Sequence, residues 1–332
     1  MSRVTVVSVF YNRAALVEES VRSLQCQTLD DYEILLVDDG SSDDTLNRLR
    51  LFEDHRTRVV SGPNQGLVGA LNGAIAQARG QYIAIHGSGD VSFPQRLALQ
   101  AEVLDKRTDV GVVGCRSEIV TMQSSRPPHI DKQAYDGAAH KLILDWNPFH
   151  HGEVMFRKAL FDQVGGYRPF FVCGQDRDLW CRMSQHCHFL VLGDVLYRKF
   201  TKVPGSVAAD PHRLMLQRYL SDFALYCHRE RLAGRPDPLS CHGEQGALFR
   251  PPSRRLAREM CVIGSRCAAD GDLETARMFY RRGLQENGYL PARILYFLAA
   301  AMPGVLLGAG DAWRKLARVL QKARWSFGSR GV

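Results

Sequence analysis

No cysteine pair in this chain stands at Cys-x-x-Cys spacing, although nine cysteines are scattered through its 332 residues. An odd, dispersed set of thiols argues against a disulfide framework and predicts reduced cysteines in a cytoplasmic protein. Cys181, His186, Cys187 and His188 do cluster, but no second ligand pair stands at finger-like spacing. A strand edge with buried thiols is therefore the reading, rather than a zinc site. Long apolar runs are lacking too: no segment offers the roughly 18–20 uninterrupted apolar residues that a membrane-spanning helix needs. The nearest, 294–310, is broken by Pro303 and Gly304. The amino terminus shows no signal-peptide pattern, because Met1-Ser2-Arg3 leads directly into strand-like Val4–Phe10. A basic groove is also missing. The formal net charge is +8, but much of the excess is the acid-free run Arg314, Lys315, Arg318, Lys322, Arg324 and Arg330. Residues 1–200 do not set basic groups beside an aromatic platform, so no nucleic-acid partner is expected.

What is present is an ordinary globular composition, 45% hydrophobic and 23% charged, long enough for one large domain or two smaller ones. Up to residue 120, strand and helix patterns alternate. Strands are expected at Val4–Phe10, 32–37, 58–61 and 81–86, with another beginning at 110. Helices are expected after Asn12 as cap, after Ser41 or Ser42 as cap, over 66–78, and after Ser92-Phe93-Pro94. This βαβ rhythm predicts a mostly parallel sheet covered on both faces. Beyond residue 119 the rhythm breaks, with strands of a mixed sheet at 152–157 and 189–200. From about residue 206 the pattern is helical. Within 261–286, Ala268-Ala269-Asp270-Gly271-Asp272-Leu273 reads as the turn of a helical hairpin resembling one tetratricopeptide unit.

Two carboxylate stations carry the chemistry. In the first, an apolar strand ends in Asp38-Asp39-Gly40-Ser41-Ser42. The carboxyl ends of strands are where open α/β sheets bind ligands. One acid there could accept a hydrogen bond from a nucleobase or ribose, or could simply cap the following helix. In the second, Gln175-Asp176-Arg177-Asp178-Leu179-Trp180 opens a helix. Its acids could supply a general base, or could stabilise the helix amino terminus.

Together with Val6 to Asn12, Gln27-Thr28, Asn64-Gln65-Gly66-Leu67, Ala70-Leu71-Asn72, Gly80 to Ala84, Asn147 to Arg157 and Gly165-Gly166-Tyr167-Arg168, these stations resemble the family 2 inverting glycosyltransferases over residues 3–205. The resemblance implies an α/β GT-A fold, a doubly wound mixed sheet, in a transferase domain at 1–205. The remainder, 206–332, is then a helical region with a basic amphipathic tail. It implies a nucleotide-sugar donor, a UDP-sugar first, and a glycan or lipid-linked acceptor attacked with inversion. It assigns Tyr11 to stack on the base, Phe10 and Asn12 to line that pocket, Asp39 to bond the base with Asp38 beside it, and Asp176 as catalytic base. His151, Asp178, Trp180 and Arg198 fall on the acceptor or diphosphate side, and His150 could join them or be polar surface.

The chain departs from the family at the metal station. His86-Gly87-Ser88-Gly89-Asp90 puts Gly87 and Gly89 where the Asp-x-Asp acids belong, leaving Asp90. Mg²⁺ or Mn²⁺ could still be held by Asp90 with the donor diphosphate. Alternatively, Arg157, Arg198 or backbone N–H groups would hold the diphosphate. The alternative for the whole chain is a catalytically silent nucleotide-sugar binding module or a scaffold. The tail at 311–332 has one apolar and one basic face. It could lie on the inner face of an anionic membrane, making the protein peripheral there, or pack on the helical region.

Overall fold

The computed structural model describes residues 2–122, 127–131 and 133–301. The basic tail at 311–332 lies outside the described residues. The chain divides into two compact units, 1–209 with 224–237, and 210–223 with 238–332.

The first unit is built on strands β1 (Val4–Phe10), β2 (Tyr32–Asp38), β3 (Thr57–Ser61), β4 (Tyr82–Gly87), β5 (Val91–Ser92), β6 (Val110–Thr121), β7 (His129–Asp131), β8 (Tyr135–Ala138), β9 (Met155–Arg157) and β10 (His188–Thr201). Its helices are α1 (Val17–Gln25), α2 (Thr45–Arg50), α3 (Gly66–Ala76), α4 (Arg96–Lys106), α5 (Lys158–Gln163) and α6 (Gln175–Met183). One mixed sheet runs in the order β3-β2-β1-β4-β9-β6-β10-β5, with β7 on β6 and β8 on β10. Strands β3, β2, β1 and β4 are parallel, and β9 lies antiparallel to both its neighbours.

The central strands read as unbroken apolar runs because both of their faces are covered. Side chains alternate across a strand. On one face, Val7, Ile83 and Ile85 pack with Val68, Leu71 and Ile75 of α3 and with Leu179 and Trp180 of α6. On the other, Val4, Val6, Ile34 and Leu36 pack with Val17, Val21 and Leu24 of α1 and with Leu97 and Leu104 of α4. The chain winds from β1 outward to β3, then crosses back to place β4 on the free side of β1. The strand order therefore reverses between β1 and β4, and the crevice beyond their carboxyl ends is the ligand position of such sheets.

Two cap expectations are corrected. Asn12 does not cap a helix: it sits at φ 51 and its Oδ1 accepts from Ser42 N at 2.8 Å. Ser41 does not cap α2 either, since its Oγ accepts from Asn12 N at 3.0 Å. The loops after β1 and β2 thus bind each other crosswise. The expected strand at 152–157 is shorter, because 151–153 forms a 3-10 turn leading into β9.

The second unit is helical. Helix α7 (Pro211–Leu232) contributes its first turns to it, followed by α8 (Pro238–His242), α9 (Arg254–Ala269), α10 (Leu273–Asn287) and α11 (Leu290–Ala301). Ser253 Oγ caps α9 and Asp272 caps α10, each accepting a backbone N–H of the first turn. Met260, Leu256 and Phe279 join Met215 in its core. Arg250 ties buried Asp222 (2.9 Å) to Glu286 (2.6 Å). No described helix is long and apolar enough to cross a membrane.

Candidate active site

The parallel register puts Phe10 beside Asp38 and Val9 beside Gly87. The segments that follow β1, β2 and β4 therefore meet at one end of the sheet. Tyr11 emerges there with 49% of its surface exposed, a ring offered to solvent at the strand end. Asn12 beside it is exposed and holds the next loop. Phe10 is fully buried against α1 and so lines no pocket, which corrects the expectation for it. Asp38 is also turned inward, accepting from Ser61 Oγ at 3.1 Å and facing the Ser41 N–H. Asp39 Oδ1 accepts from Gln65 N at 2.8 Å, which fixes the start of α3 against this end. Its carboxylate has acceptor capacity beyond that bond.

The metal station is closed rather than merely depleted. Asp90 Oδ2 accepts from Tyr197 Oη at 2.8 Å and its Oδ1 from Phe200 N at 2.9 Å. Tyr197 Oη in turn accepts from Gly87 N at 2.9 Å. A Cβ on Gly87 would stand 2.3 Å from Asp90 Oδ2, and one on Gly89, at φ +98, would stand 2.7 Å from Leu16 Cδ1. An acid at Gly87 would therefore have to displace the Asp90 carboxylate, and one at Gly89 would be strained. Burial pushes the Asp90 carboxyl up to about 6, against the pull of its two hydrogen bonds and of the Lys199 and Arg96 charges. Among the described residues no group of three or more His, Cys, Asp or Glu is placed to hold an ion. A lone carboxylate with both oxygens already bonded does not fit a protein-held Mg²⁺ or Mn²⁺. The Cys181, His186, Cys187 and His188 cluster forms no metal group either.

The second carboxylate station splits into two roles. Gly174, at φ 72, turns the chain into α6. Asp178 is fully buried and bound by both Arg168 and Arg182, with Arg168 passing on to Asp237. Fully buried in these ion pairs, it has no surface to offer an acceptor, which corrects its placement on the acceptor side. Trp180 is likewise fully buried, packed edge-on against Phe149 and Phe156. Asp176 is different. It is partly exposed and its carboxylate takes no hydrogen bond among the described residues. Beside it are His151 and Tyr167, whose Nε2 and Oη lie 2.8 Å apart. Asn72 of α3 clamps the Tyr167 backbone through both its N–H and its carbonyl (3.1 and 2.8 Å). Burial holds the His151 imidazole below its ordinary value, although the Asp176 charge opposes this. His151 is thus a neutral hydrogen-bonding group at neutral pH.

The expected diphosphate cations are engaged elsewhere. Arg157 donates to the carbonyls of Val110, Leu104 and Arg107 at 2.9, 2.6 and 3.0 Å, which anchors the end of α4. Arg198 pairs with Glu118 at 2.5 Å and lies over Phe93. Sequence reasoning did not single out Lys199 or Tyr197. Nothing in a strand pattern marks one lysine, and only the pairing of β10 with β5 and β6 brings these two side chains to the end of β4.

Comparison with known proteins places this architecture. Residues 5–165 match the family model described as Glycosyl transferase family 2. EpsJ of Bacillus subtilis, an uncharacterised glycosyltransferase, is 38% identical over 257 residues, spanning 68% of this chain and 70% of that protein. EpsE of the same organism, provisionally named a glycosyltransferase, is 30% identical over 189 residues, spanning 55% of this chain and 67% of that one. Two solved structures share the fold. TarS 1–349 of S. aureus in complex with UDP has TM-score 0.53 at 16% identity, over 95% of this chain and 92% of that one. The mannosyltransferase PcManGT of Pyrobaculum calidifontis, bound to GDP-Man and Mn²⁺, has TM-score 0.50 at 20% identity, over 94% and 88%. The chain belongs to glycosyltransferase family 2, as an enzyme with the GT-A fold.

Proposed function

We propose that this glycosyltransferase moves a sugar from a nucleoside diphosphate sugar, with UDP as the first nucleotide to test, to a hydroxyl of a glycan or lipid-linked acceptor, with inversion. The observation that carries the reading is the unbonded Asp176 carboxylate beside neutral His151, on a helix whose other acid, Asp178, is locked in ion pairs. An acceptor hydroxyl is a weak nucleophile. A carboxylate within reach removes its proton as the new bond to the anomeric carbon forms. A single displacement there inverts configuration. Tyr11 would stack on the base and Asp39 would bond it, at the strand ends where such sheets bind ligands. Complexes of fold neighbours with UDP and with UDP-GlcNAc support a nucleotide-sugar donor. Mg²⁺ or Mn²⁺ would enter with the donor diphosphate rather than in a protein cage.

Relatives named for glycosyl transfer support the transfer itself. The test is a panel of nucleotide sugars incubated with purified protein and candidate acceptors. The readout is released nucleoside diphosphate together with the anomeric configuration of the product. A product with the donor's configuration retained would overturn the single-displacement reading. Stabilisation by a nucleotide sugar without any transfer or donor hydrolysis would favour a silent binding module instead.

A further inference from the structure

With Asp-x-Asp gone and Asp90 folded onto Tyr197, the leaving diphosphate still needs positive charge, because the pair of electrons from the broken glycosidic bond stays on its oxygen. We propose that Lys199 supplies that charge as the protein's own fixed cation. The inference rests on the nucleotide-sugar reading above and concerns the same site.

Position is the first argument. Lys199 and Tyr197 are two residues apart on β10, so they share a face of the strand. Tyr197 Oη reaches Gly87 N and Asp90, which places that face at the end of β4. The backbone N–H next along, at Phe200, binds Asp90 directly. From there the Lys199 charge is felt by both Asp90 and His151. His151 is also coupled to the Asp176 charge, so the ammonium acts on groups of both the Asp90 and the Asp176 stations.

Availability is the second. The arginines of this sheet are committed: Arg157 stands beside Tyr82 at the opposite end of β4 and donates to three carbonyls, Arg198 pairs with Glu118, Arg96 is bound to Ile85 O and Ser92 Oγ in the core, and Arg13, after Asn12, donates to Pro204 O. Lys199 meets no carboxylate within ion-pair distance among the described residues. Its hydrogen-bond partner is His150 Nδ1, at 3.3 Å. An ammonium can only donate, so Nδ1 must be the acceptor and the imidazole carries its proton on Nε2. That nitrogen lies 2.8 Å from Asp131 Oδ2 and donates to it. Asp131 thus fixes the tautomer of His150, and His150 aims Lys199 without neutralising it. In the step itself, the acceptor oxygen–carbon bond forms, the carbon–phosphate-oxygen bond breaks, the acceptor proton passes to Asp176, and the new phosphate charge meets the ammonium.

The test is calorimetry on the full-length protein in EDTA, comparing UDP with uridine and GDP with guanosine, for wild type, Lys199→Gln and Lys199→Met. Wild type should bind the matching diphosphate more tightly than its nucleoside. Both variants should lose roughly 10–100-fold of that advantage, the size of one charge-assisted contact, while nucleoside affinity is retained. Lys199→Arg should recover part of it. Retained nucleoside binding also reports that the variants are folded. An unchanged diphosphate advantage in Lys199→Gln and Lys199→Met would overturn the assignment while leaving the nucleotide-sugar reading intact. So would an advantage that appears in wild type only after Mg²⁺ or Mn²⁺ is added and is the same in the variants. No binding of either diphosphate by wild type would overturn both.

Discussion

Asp176 and Asp178 occupy the same first turn of α6, yet Asp178 is gripped by two guanidinium groups and Asp176 by none. A buried carboxylate held by Arg168 and Arg182 is structural, and removing one partner of such a cluster leaves the others buried and unpaired. Asp178→Ala should therefore cost about 3–5 kcal/mol of stability. Urea denaturation checks this. A loss below about 1 kcal/mol, with transfer impaired, would return Asp178 to the acceptor side.

Asp39→Asn keeps an acceptor for Gln65 N but removes the charge offered to a base imide. Uridine affinity should fall by about 1.5–3 kcal/mol, the worth of a charge-assisted bond. Because the base pocket and the Lys199 ammonium are separate, this loss should appear equally in uridine and UDP. Unchanged uridine affinity in a folded variant removes Asp39 from the pocket.

The strands β1 to β4 were legible within a residue or two because both sheet faces are buried and the runs are continuous, whereas β9 begins three residues later than expected and the short β5, β7 and β8 carried no such run. Caps were not. Asn12 and Ser41 look like caps locally, but their polar groups are taken by each other across two loops brought together only by the β1–β2 pairing. The faces of site residues were equally hidden. Phe10 and Trp180 sit next to exposed Tyr11 and near Asp176 in sequence, and only the register and the packing of α6 turn them into the core. The loss of Asp-x-Asp was plain in the sequence. That the Asp90 carboxylate now folds over Gly87 and Leu16 over Gly89 was not, since Tyr197 and Leu16 come from distant segments.

Trp180→Phe should therefore lower stability and leave donor affinity and the KM for acceptor near wild type, since the indole packs only in the core. Removing part of a large buried ring costs on the order of 1–3 kcal/mol. A change confined to acceptor KM, with stability intact, would contradict that placement.

Asp90 gives a pH signature. Its folded pKa, pushed to about 6 by burial, stands above the ordinary value of 3.8. A raised carboxyl favours the folded state fully below the lower value, and that contribution is lost as pH rises through the upper one. Asp90→Asn is neutral throughout. Melting curves from pH 4 to 7.5 should show wild type losing stability relative to Asp90→Asn as pH rises. A constant difference would mean that Asp90 is ionised across the range.

The most direct test of the account is the transfer rate of Asp176→Asn. The substitution keeps the size and hydrogen-bonding shape of the side chain and removes only the proton acceptor. Turnover should fall by roughly 10²–10⁴-fold, the usual worth of general-base catalysis, while affinity for the nucleoside diphosphate stays near wild type. Transfer at the wild-type rate by Asp176→Asn would contradict the assignment of the base.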